Sequence, residues 1–319
     1  MIKVFPALMR KREPSGEPIT WTENTNHPFT ADKPAYALGY ANGIWVAGGA
    51  GGTICTAVDP TGKWTSRTSN LGNANINHIE YGNGIWAATT EAGWIATAVN
   101  PIGVWTVRSS RFTTSAPNGF GYGNSKWVYA AGDRHIFTAS NPALVWAENT
   151  SHPYTVGHPT DVRYDNSIWV MGGSPGASGE ANIATAVSAT GTWTRRTNPF
   201  YNCVGAWYGN GIWVAGGSSK PYGANPLLAT ASTPTSTWTS RTVPLSGVDK
   251  PLQPCYGANA WVVFTSFTTS KILTTLTPTG TWNLRTNPVA AQITRVRYGD
   301  GHWVGVCHPG KIITAVPGV

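Results

Sequence analysis

One pattern constrains this chain more than any other: a Tyr followed five residues later by a Trp, seven times over. The pairs are Tyr40/Trp45, Tyr81/Trp86, Tyr122/Trp127, Tyr164/Trp169, Tyr208/Trp213, Tyr256/Trp261 and Tyr298/Trp303, spaced 41, 41, 42, 44, 48 and 42 residues apart. A second Trp follows each of the first six, in TGKWTSRT, IGVWTVRS, ALVWAENT, TGTWTRRT, TSTWTSRT and TGTWNLRT, at Trp64, Trp105, Trp146, Trp193, Trp238 and Trp282. The seventh copy ends in GKIITAVPGV with no second Trp, and the missing piece stands near the start of the chain as ITWTENT around Trp21. Fourteen of the 16 tryptophans therefore occupy two repeat positions, leaving Trp94 and Trp207.

Each copy divides into four short β-type runs. In the second, Ile76 to Tyr81 meets Gly82-Asn83-Gly84, whose residues accept the positive φ of a tight hairpin, and Ile85 to Thr89 follows. Glu91-Ala92-Gly93 then turns into Trp94 to Val99, and Asn100 to Gly103 turns into Val104 to Ser109. Pro recurs at this last turn as Pro60, Pro101, Pro142, Pro234 and Pro278, where its fixed φ suits a type I turn. Four antiparallel strands per unit of about 40–45 residues is the mark of a β-propeller blade. The expected fold is all-β, a seven-bladed β-propeller with four antiparallel strands per blade. Residues 18–319 form a single domain in which 18–26 supply the last strand of the blade built by 293–317, a 3+1 closure. Burying one Trp removes roughly 150–250 Å² from water, an upper bound of about 4–6 kcal/mol each, so the paired tryptophans are expected to fill the wedges between blades.

Composition narrows the remaining classes. Charged residues are 11% of the 319, against the roughly 25% usual in a soluble domain, and the formal net charge is +8. No apolar run approaches the ~18 residues of a membrane helix. The N-terminus, MIKVFPALMRKREP, has an apolar stretch of about six residues broken by Pro6 and followed by Arg10, Lys11 and Arg12, whereas a signal peptide has ~7–15. No export signal is expected. Cys55, Cys203, Cys255 and Cys307 lie far apart with no CxxC and no Cys/His spacing of a metal site, which predicts buried free thiols, no metal and no cofactor.

Because repeated positions are structural, function is sought in what breaks the repeat. The loops between blades and those joining second to third strands emerge on one face, and the latter are long at 172–183 and 216–228. His27, Phe29, Trp94, His135, Tyr154, His158, Tyr201, Tyr222 and Phe267 gather there. From this set Trp94, His135, Tyr154, Tyr201, Tyr222 and Phe267 are the candidate ligand-binding residues, since an aromatic, weakly charged rim suits stacking on sugar rings; covering their own turns is the structural alternative. The first strand of each blade should line the central channel. Its residue before the repeat Tyr is Gly39, Glu80, Gly121, Arg163, Trp207, Cys255 or Arg297, and two earlier stand Ala37, His78, Gly119, Asp161, Gly205, Gln253 and Arg295. Glu80, Asp161, Arg163, Arg295 and Arg297 are expected to face the channel as a mutually compensating network, an arrangement that serves structural pairing and that an active site also needs.

The fourth strands end in W-x-x-[RN], giving Arg67, Arg108, Arg196, Arg241 and Arg285, with Asn24 and Asn149 in the other two copies. These arginines, expected to cap blade ends, and Lys3, Arg10, Lys11 and Arg12 of a basic arm (1–17) carry much of the positive charge. With no basic run beyond RKR and no nucleic-acid reader motif, nucleic acid is not the expected partner.

The layout resembles the BNR or sialidase-type propeller repeat, whose Asp-box joins strands three and four as Ser-x-Asp-x-Gly-x-Thr-Trp. The nearest segment here is AVDPTGKW, with Asp59, Gly62 and Trp64; Ala57 stands in the Ser position, the Gly comes one residue late, and other copies replace the Asp with Asn100, Asn141, Ser188, Thr233 and Thr277. That resemblance implies a carbohydrate-active enzyme, but the arginine triad, Tyr/Glu pair and acid of sialidase chemistry are not assignable among 14 carboxylates. The wording YGNGIWVAGG…TA-x-x-PTG-x-WT-x-RT is similar to propeller repeats of phage and prophage tail-associated proteins. This implies a non-enzymatic virion module, assembled in the host cytoplasm, joined to other virion subunits by the arm and touching a host-surface glycan or receptor through its loop face. A free carbohydrate-binding lectin or scaffold is the third reading.

Overall fold

The computed structural model describes residues 16–18, 20–108, 115–175, 182–220, 225–247, 249–266 and 270–318. Within them, seven four-stranded antiparallel sheets follow one another around a ring; six are built from strands consecutive in the chain, and the seventh takes the first strand of the chain as its outer edge. Blade 1 is Ala35–Ala41, Ile44–Gly49, Ile54–Ala57 and Thr65–Arg67. Blade 7 is Gln292–Gly299, His302–His308 and Lys311–Ala315, completed by Thr22–Asn24 in the register Thr22↔Thr314, Glu23↔Ile313, Asn24↔Ile312. The chain is an all-β, seven-bladed propeller closed by its N-terminal strand.

The turn chemistry read from the sequence explains the innermost hairpins. Residue pairs Asn42-Gly43, Asn83-Gly84, Asn124-Ser125, Asn166-Ser167, Asn210-Gly211, Ala258-Asn259 and Asp300-Gly301 all have positive φ at both positions. That is the two-residue turn whose twist matches a β-hairpin. At the turn between strands three and four, Asp59 accepts the Thr61 amide at 2.8 Å, and Asn100 and Asn141 do the same for Ile102 and Ala143. The replacements in the Asp-box-like position thus preserve an acceptor that folds the turn.

The fourteen repeat tryptophans lie in seven separate cores, each between two blades. Trp45 and Trp64 of blade 1 pack on Val304, Val306 and Ile312 of blade 7, and Trp86 and Trp105 of blade 2 on Ala37, Val46 and Ile54 of blade 1. The ring closes where Trp303 and Trp21 meet Val262, Phe264 and Ile272 of blade 6. Fourth-strand indoles also hold the preceding turn: Trp64, Trp105, Trp146, Trp238 and Trp282 donate Nε1–H to the carbonyls of Pro60, Pro101, Pro142, Pro234 and Pro278 at 3.1–3.4 Å. The four cysteines are buried and free.

The repeat Tyr has a socket that the sequence did not announce. A Cβ on Gly82, Gly123, Gly209, Gly257 or Gly299 would lie 2.1–2.3 Å from the ring or Cβ of the next blade's Tyr, so the ring rests directly on glycine backbone. Gly123→Ala is expected to cost about 1–3 kcal/mol in denaturant unfolding, as overpacking does. An unchanged midpoint would mean that the Tyr164 ring slides aside.

The repeated arginines do not cap blade ends. Arg67, Arg108, Arg196, Arg241 and Arg285 each donate Nε–H to a Thr hydroxyl on the neighbouring third strand, Thr56, Thr97, Thr185, Thr230 and Thr274, at 2.7–3.0 Å. The strand spacing brings an eleven-residue separation face to face, so the partner is a side chain. Where Asn replaces Arg, the bond crosses to the next blade: Asn24 donates to the Pro60 and Gly62 carbonyls and Asn149 to those of Ala189 and Gly191, at 2.8–2.9 Å. Of the basic arm, Lys3, Arg10, Lys11 and Arg12 lie outside the described residues. Glu17 is bonded to Thr274, Asn283 and Arg285 of blade 6, and the Gly16 amide donates to Ala258 O at 2.9 Å.

Candidate channel site

First strands run from the face of the between-blade loops, here the upper face, toward the hairpins of the lower face. Residues directly before the repeat Tyr and two further back point toward the next blade and the axis. Where blades approach closely, only glycine fits: a Cβ on Gly119 would lie 2.9 Å from backbone of Asp161 and Val162, and one on Gly121 2.8 Å from Val162 O. Larger residues at these positions extend into the channel.

At the level just before the Tyr, side chains from four blades meet across the axis. Glu80 of blade 2 lies 3.3 Å from Arg163 Nη1 of blade 4 and 3.2 Å from Arg297 Nη2 of blade 7. Both guanidinia lie by the indole of Trp207 in blade 5, with centroid distances of 4.2 and 5.0 Å, within cation–π range. Trp207, one of the two tryptophans outside the repeat, is therefore a channel residue that holds two like charges beside one carboxylate.

Two residues higher stand His78, Asp161, Gln253 and Arg295. Asp161 Oδ2 is 3.8 Å from Arg163 Nε, too far for a hydrogen bond, and Asp161 Oδ2, Arg163 Nε and Gln253 Oε1 are buried with no hydrogen-bond partner. Burial raises the Asp161 carboxyl above its usual range, opposed by Arg163 and Arg295. Arg295 departs from the expected compensating network. Its Nη1 donates to Thr294 O at 3.1 Å, but among the described residues no carboxylate lies within 4.0 Å of it. Burial lowers its pKa to about 10, so it is charged at neutral pH. His78 is fully buried, and burial followed by the Arg295 charge holds its imidazole well below the usual histidine range.

Above this level the channel opens into a cavity of about 270 Å³ lined by Tyr36, Asn77, His78, Asn118, Thr294 and Arg295, with Pro117. These belong to blades 7, 1, 2 and 3. Hydrogen bonds at this level staple successive blades together. His78 Nε2 bonds to Pro117 O at 3.2 Å, Asn118 to Pro159 O at 3.0 Å, Thr160 to Cys203 O at 2.5 Å and Thr294 to Ala35 O at 3.0 Å. The acceptor in all four is the carbonyl at one repeat position, five before the Tyr. Tyr36, Asn77, Asn118 and Thr294 escaped the sequence reading because strict alternation turns them away from the axis. A bulge between the third and fifth residues before the Tyr re-aims them in six of the seven blades.

The sequence-derived loop residues do not converge. Trp94 is 46% exposed at the second hairpin of blade 2. His135 sits on the corresponding hairpin of blade 3, stacked on Phe137 and 2.6 Å from Glu148, at the edge of a second cavity of about 250 Å³. Tyr201 is half-buried before blade 5, and Tyr222 and Phe267 lie outside the described residues. Tyr154 is not a surface residue. It is 3% exposed in the core between blades 3 and 4, and its hydroxyl lies 3.1–3.2 Å from the Gly172 and Met171 carbonyls. Phe29 and Phe200 are buried at the matching loop position after a Pro, a recurrence in HPF, HPY and NPF that marks it as a further core position.

Asp165 supplies a prediction that stands apart from ligand binding. It occupies the position that is glycine in five other blades, and burial, opposed by Arg163 and reinforced by Glu80, lifts its carboxyl to about 6. The folded state thus prefers the protonated form, so the Asp165 contribution is complete below its unfolded value near 4 and is lost as pH rises through 6. Asp165→Asn is expected to raise stability by on the order of 2 kcal/mol at pH 7.5, with the gain vanishing below pH 4. Equal unfolding midpoints at both pH values would refute it.

No family model and no curated relative matches the sequence. Solved structures share its architecture. It superposes on YCF48 from Cyanidioschyzon merolae with TM-score 0.71 at 11% identity, covering 93% of this chain and 98% of that one. For a catalytically inactive virginiamycin B lyase from Staphylococcus aureus with quinupristin, the values are 0.77, 14%, 94% and 99%. A Niastella koreensis GH74 enzyme gives 0.71 at 12% identity over 92% of this chain and 53% of the enzyme. At these identities the likeness establishes the seven-bladed propeller fold alone.

Proposed function

We propose that this chain is a non-catalytic interaction propeller that takes its ligand on the upper face, at the channel mouth. The observation that carries this reading is the placement of Glu80: two guanidinia hold the carboxylate from opposite blades, which occupies it in neutralising charge across the channel. The setting that the repeat wording favours is a virion tail-associated subunit, attached to other subunits through its basic arm (1–17) and presenting its upper face to a host-surface glycan or receptor. Gly16 and Glu17, at the end of the arm, are bonded to the lower hairpin and outer strands of blade 6, away from the upper-face loops.

Two measurements test this. Incubation with sialosides and a mixed-glycan panel is expected to give binding without hydrolysis; turnover lost in Asp161→Asn or Glu80→Gln would reverse the assignment in favour of a glycoside hydrolase. Removal of residues 1–15 is expected to abolish incorporation into particles while leaving thermal unfolding intact, and normal incorporation would refute the attachment role.

A further inference from the structure

We propose that the channel mouth is a binding site for a carboxylated sugar unit, its carboxylate on Arg295 and its hydroxyls on acceptors of the surrounding wall. This rests on the upper-face reading above and names the ligand class.

The charge sets the first requirement. Arg163 and Arg297 share Glu80, whereas Arg295 uses one N–H on Thr294 O and has no carboxylate within 4.0 Å among the described residues; Asp161, 3.8 Å from Arg163, acts on it only from beyond that distance. The guanidinium lines the 270 Å³ cavity, so the mouth holds one positive charge with free donors in a fork that matches a carboxylate. His78 adds no second charge, because burial and Arg295 keep it neutral. A single cation in a partly dry site suits a monoanion better than a phosphate dianion.

The wall sets the second requirement. Pro117 O can only accept, so His78 Nε2 carries the hydrogen and Nδ1 is left as a lone pair. Asn118 spends one of its two amide N–H hydrogens on Pro159 O, which leaves Oδ1 as an acceptor beside the second N–H. Thr294 donates its hydroxyl hydrogen to a backbone carbonyl, Ala35 O or Val306 O, leaving its own oxygen as an acceptor. Blade stapling therefore uses the hydrogens of His78 Nε2 and Thr294 and one N–H of Asn118, and leaves an acceptor on each of the three. The complementary ligand brings several O–H donors together with one carboxylate, which describes a sugar acid. An acidic peptide brings the carboxylate but few donors. The Tyr36 ring at the edge, stacked on His308, offers a face for a pyranose ring.

The test titrates the full chain with D-glucuronate and D-galacturonate, with glucose and galactose as neutral counterparts, and with glutamate and an acidic tetrapeptide, following binding by calorimetry and by NMR shifts of the uronate. Uronates are expected to bind at one site at least tenfold more tightly than the neutral sugars or the peptide, with affinity falling as salt rises. Arg295→Met should weaken uronate binding at least tenfold, with Arg295→Lys intermediate. Asn77→Asp, which adds a carboxylate to the same wall, should abolish binding in a protein with unaltered unfolding. The proposal is overturned if uronate affinity survives in Arg295→Met and Asn77→Asp, if the peptide binds more tightly than the uronates, or if neither class binds. Neutral glycans binding equally to wild type and Arg295→Met would overturn it while leaving the upper-face reading standing. Hydrolysis of a glucuronide with Arg295-dependent binding would support it while refuting the non-catalytic role.

Discussion

Deletion of residues 18–26 is expected to abolish cooperative unfolding. The segment supplies the fourth strand of blade 7, and its loss removes three paired positions along Lys311–Ala315. Trp21 leaves the core it shares with Trp303, Val262 and Ile272, and the Asn24 amide leaves the blade 1 turn it holds through Pro60 O and Gly62 O. The ion pair of Lys311 with Glu23 at 2.5 Å goes as well. Each loss is local, but the segment is also the clasp of the ring. Without it the boundary between blades 7 and 1 rests on contacts no longer supported from the outer edge, and a propeller that opens at one boundary exposes the tryptophan faces of two blades. Calorimetry is expected to show a broadened transition whose van't Hoff enthalpy falls well below the calorimetric one. Trp21→Ala, which leaves the strand in place, is expected to keep a single sharp transition and cost about 3–5 kcal/mol. A deleted chain that melts as sharply as the full chain would show that closure contributes nothing.

What could be read from the sequence divides along a physical line. Properties that repeat were legible, because seven copies report the same constraint: the Tyr–Trp pairs, the Asn-Gly turns and the Pro before the fourth strand each mark one backbone geometry. The channel charges were legible too, since period-2 alternation along the first strand puts Glu80, Arg163 and Arg297 on one side. Two things escaped for specific reasons. Tyr36, Asn77, Asn118 and Thr294 reach the mouth only because a bulge breaks the alternation, and a bulge with no glycine signature leaves no mark in a single strand. Tyr154 looked like a surface aromatic because it lies in a loop, yet the Pro before it and the Phe at the same place in other copies make it a core residue. Its hydroxyl reaches two carbonyls, which lets a Tyr stand where Phe suffices elsewhere.

Glu80→Gln is expected to be among the most destabilising isosteric changes in the molecule. The substitution alters no volume and keeps one acceptor, so its cost reports charge. In the folded chain Arg163 and Arg297 are largely buried, both lie on Trp207, and Glu80 is the only carboxylate within hydrogen-bond range of either among the described residues. Removing one partner of a buried ion pair costs about 3–5 kcal/mol, because the other charge is left without compensation. Here two guanidinia are left, joined by Arg295 two residues higher, and Asp161 is the nearest carboxylate that remains. The ring–cation contacts with Trp207 offset part of the repulsion, which places the expected cost near 3 kcal/mol. The cause separates from a packing effect in a double-mutant cycle. Arg297→Met alone is expected to be mild, since Glu80 retains Arg163 and the apolar chain covers the indole. In the Glu80→Gln background the same change relieves repulsion, so it should restore at least about 1 kcal/mol, a coupling well outside the additive range. Because the groups are shielded from solvent, raising ionic strength from 0.05 to 0.5 M is expected to change these differences little, unlike those of exposed pairs. A Glu80→Gln cost below about 0.5 kcal/mol with no coupling to Arg297 would mean that the channel charges are hydrated, and would remove the argument that Glu80 is committed to neutralisation.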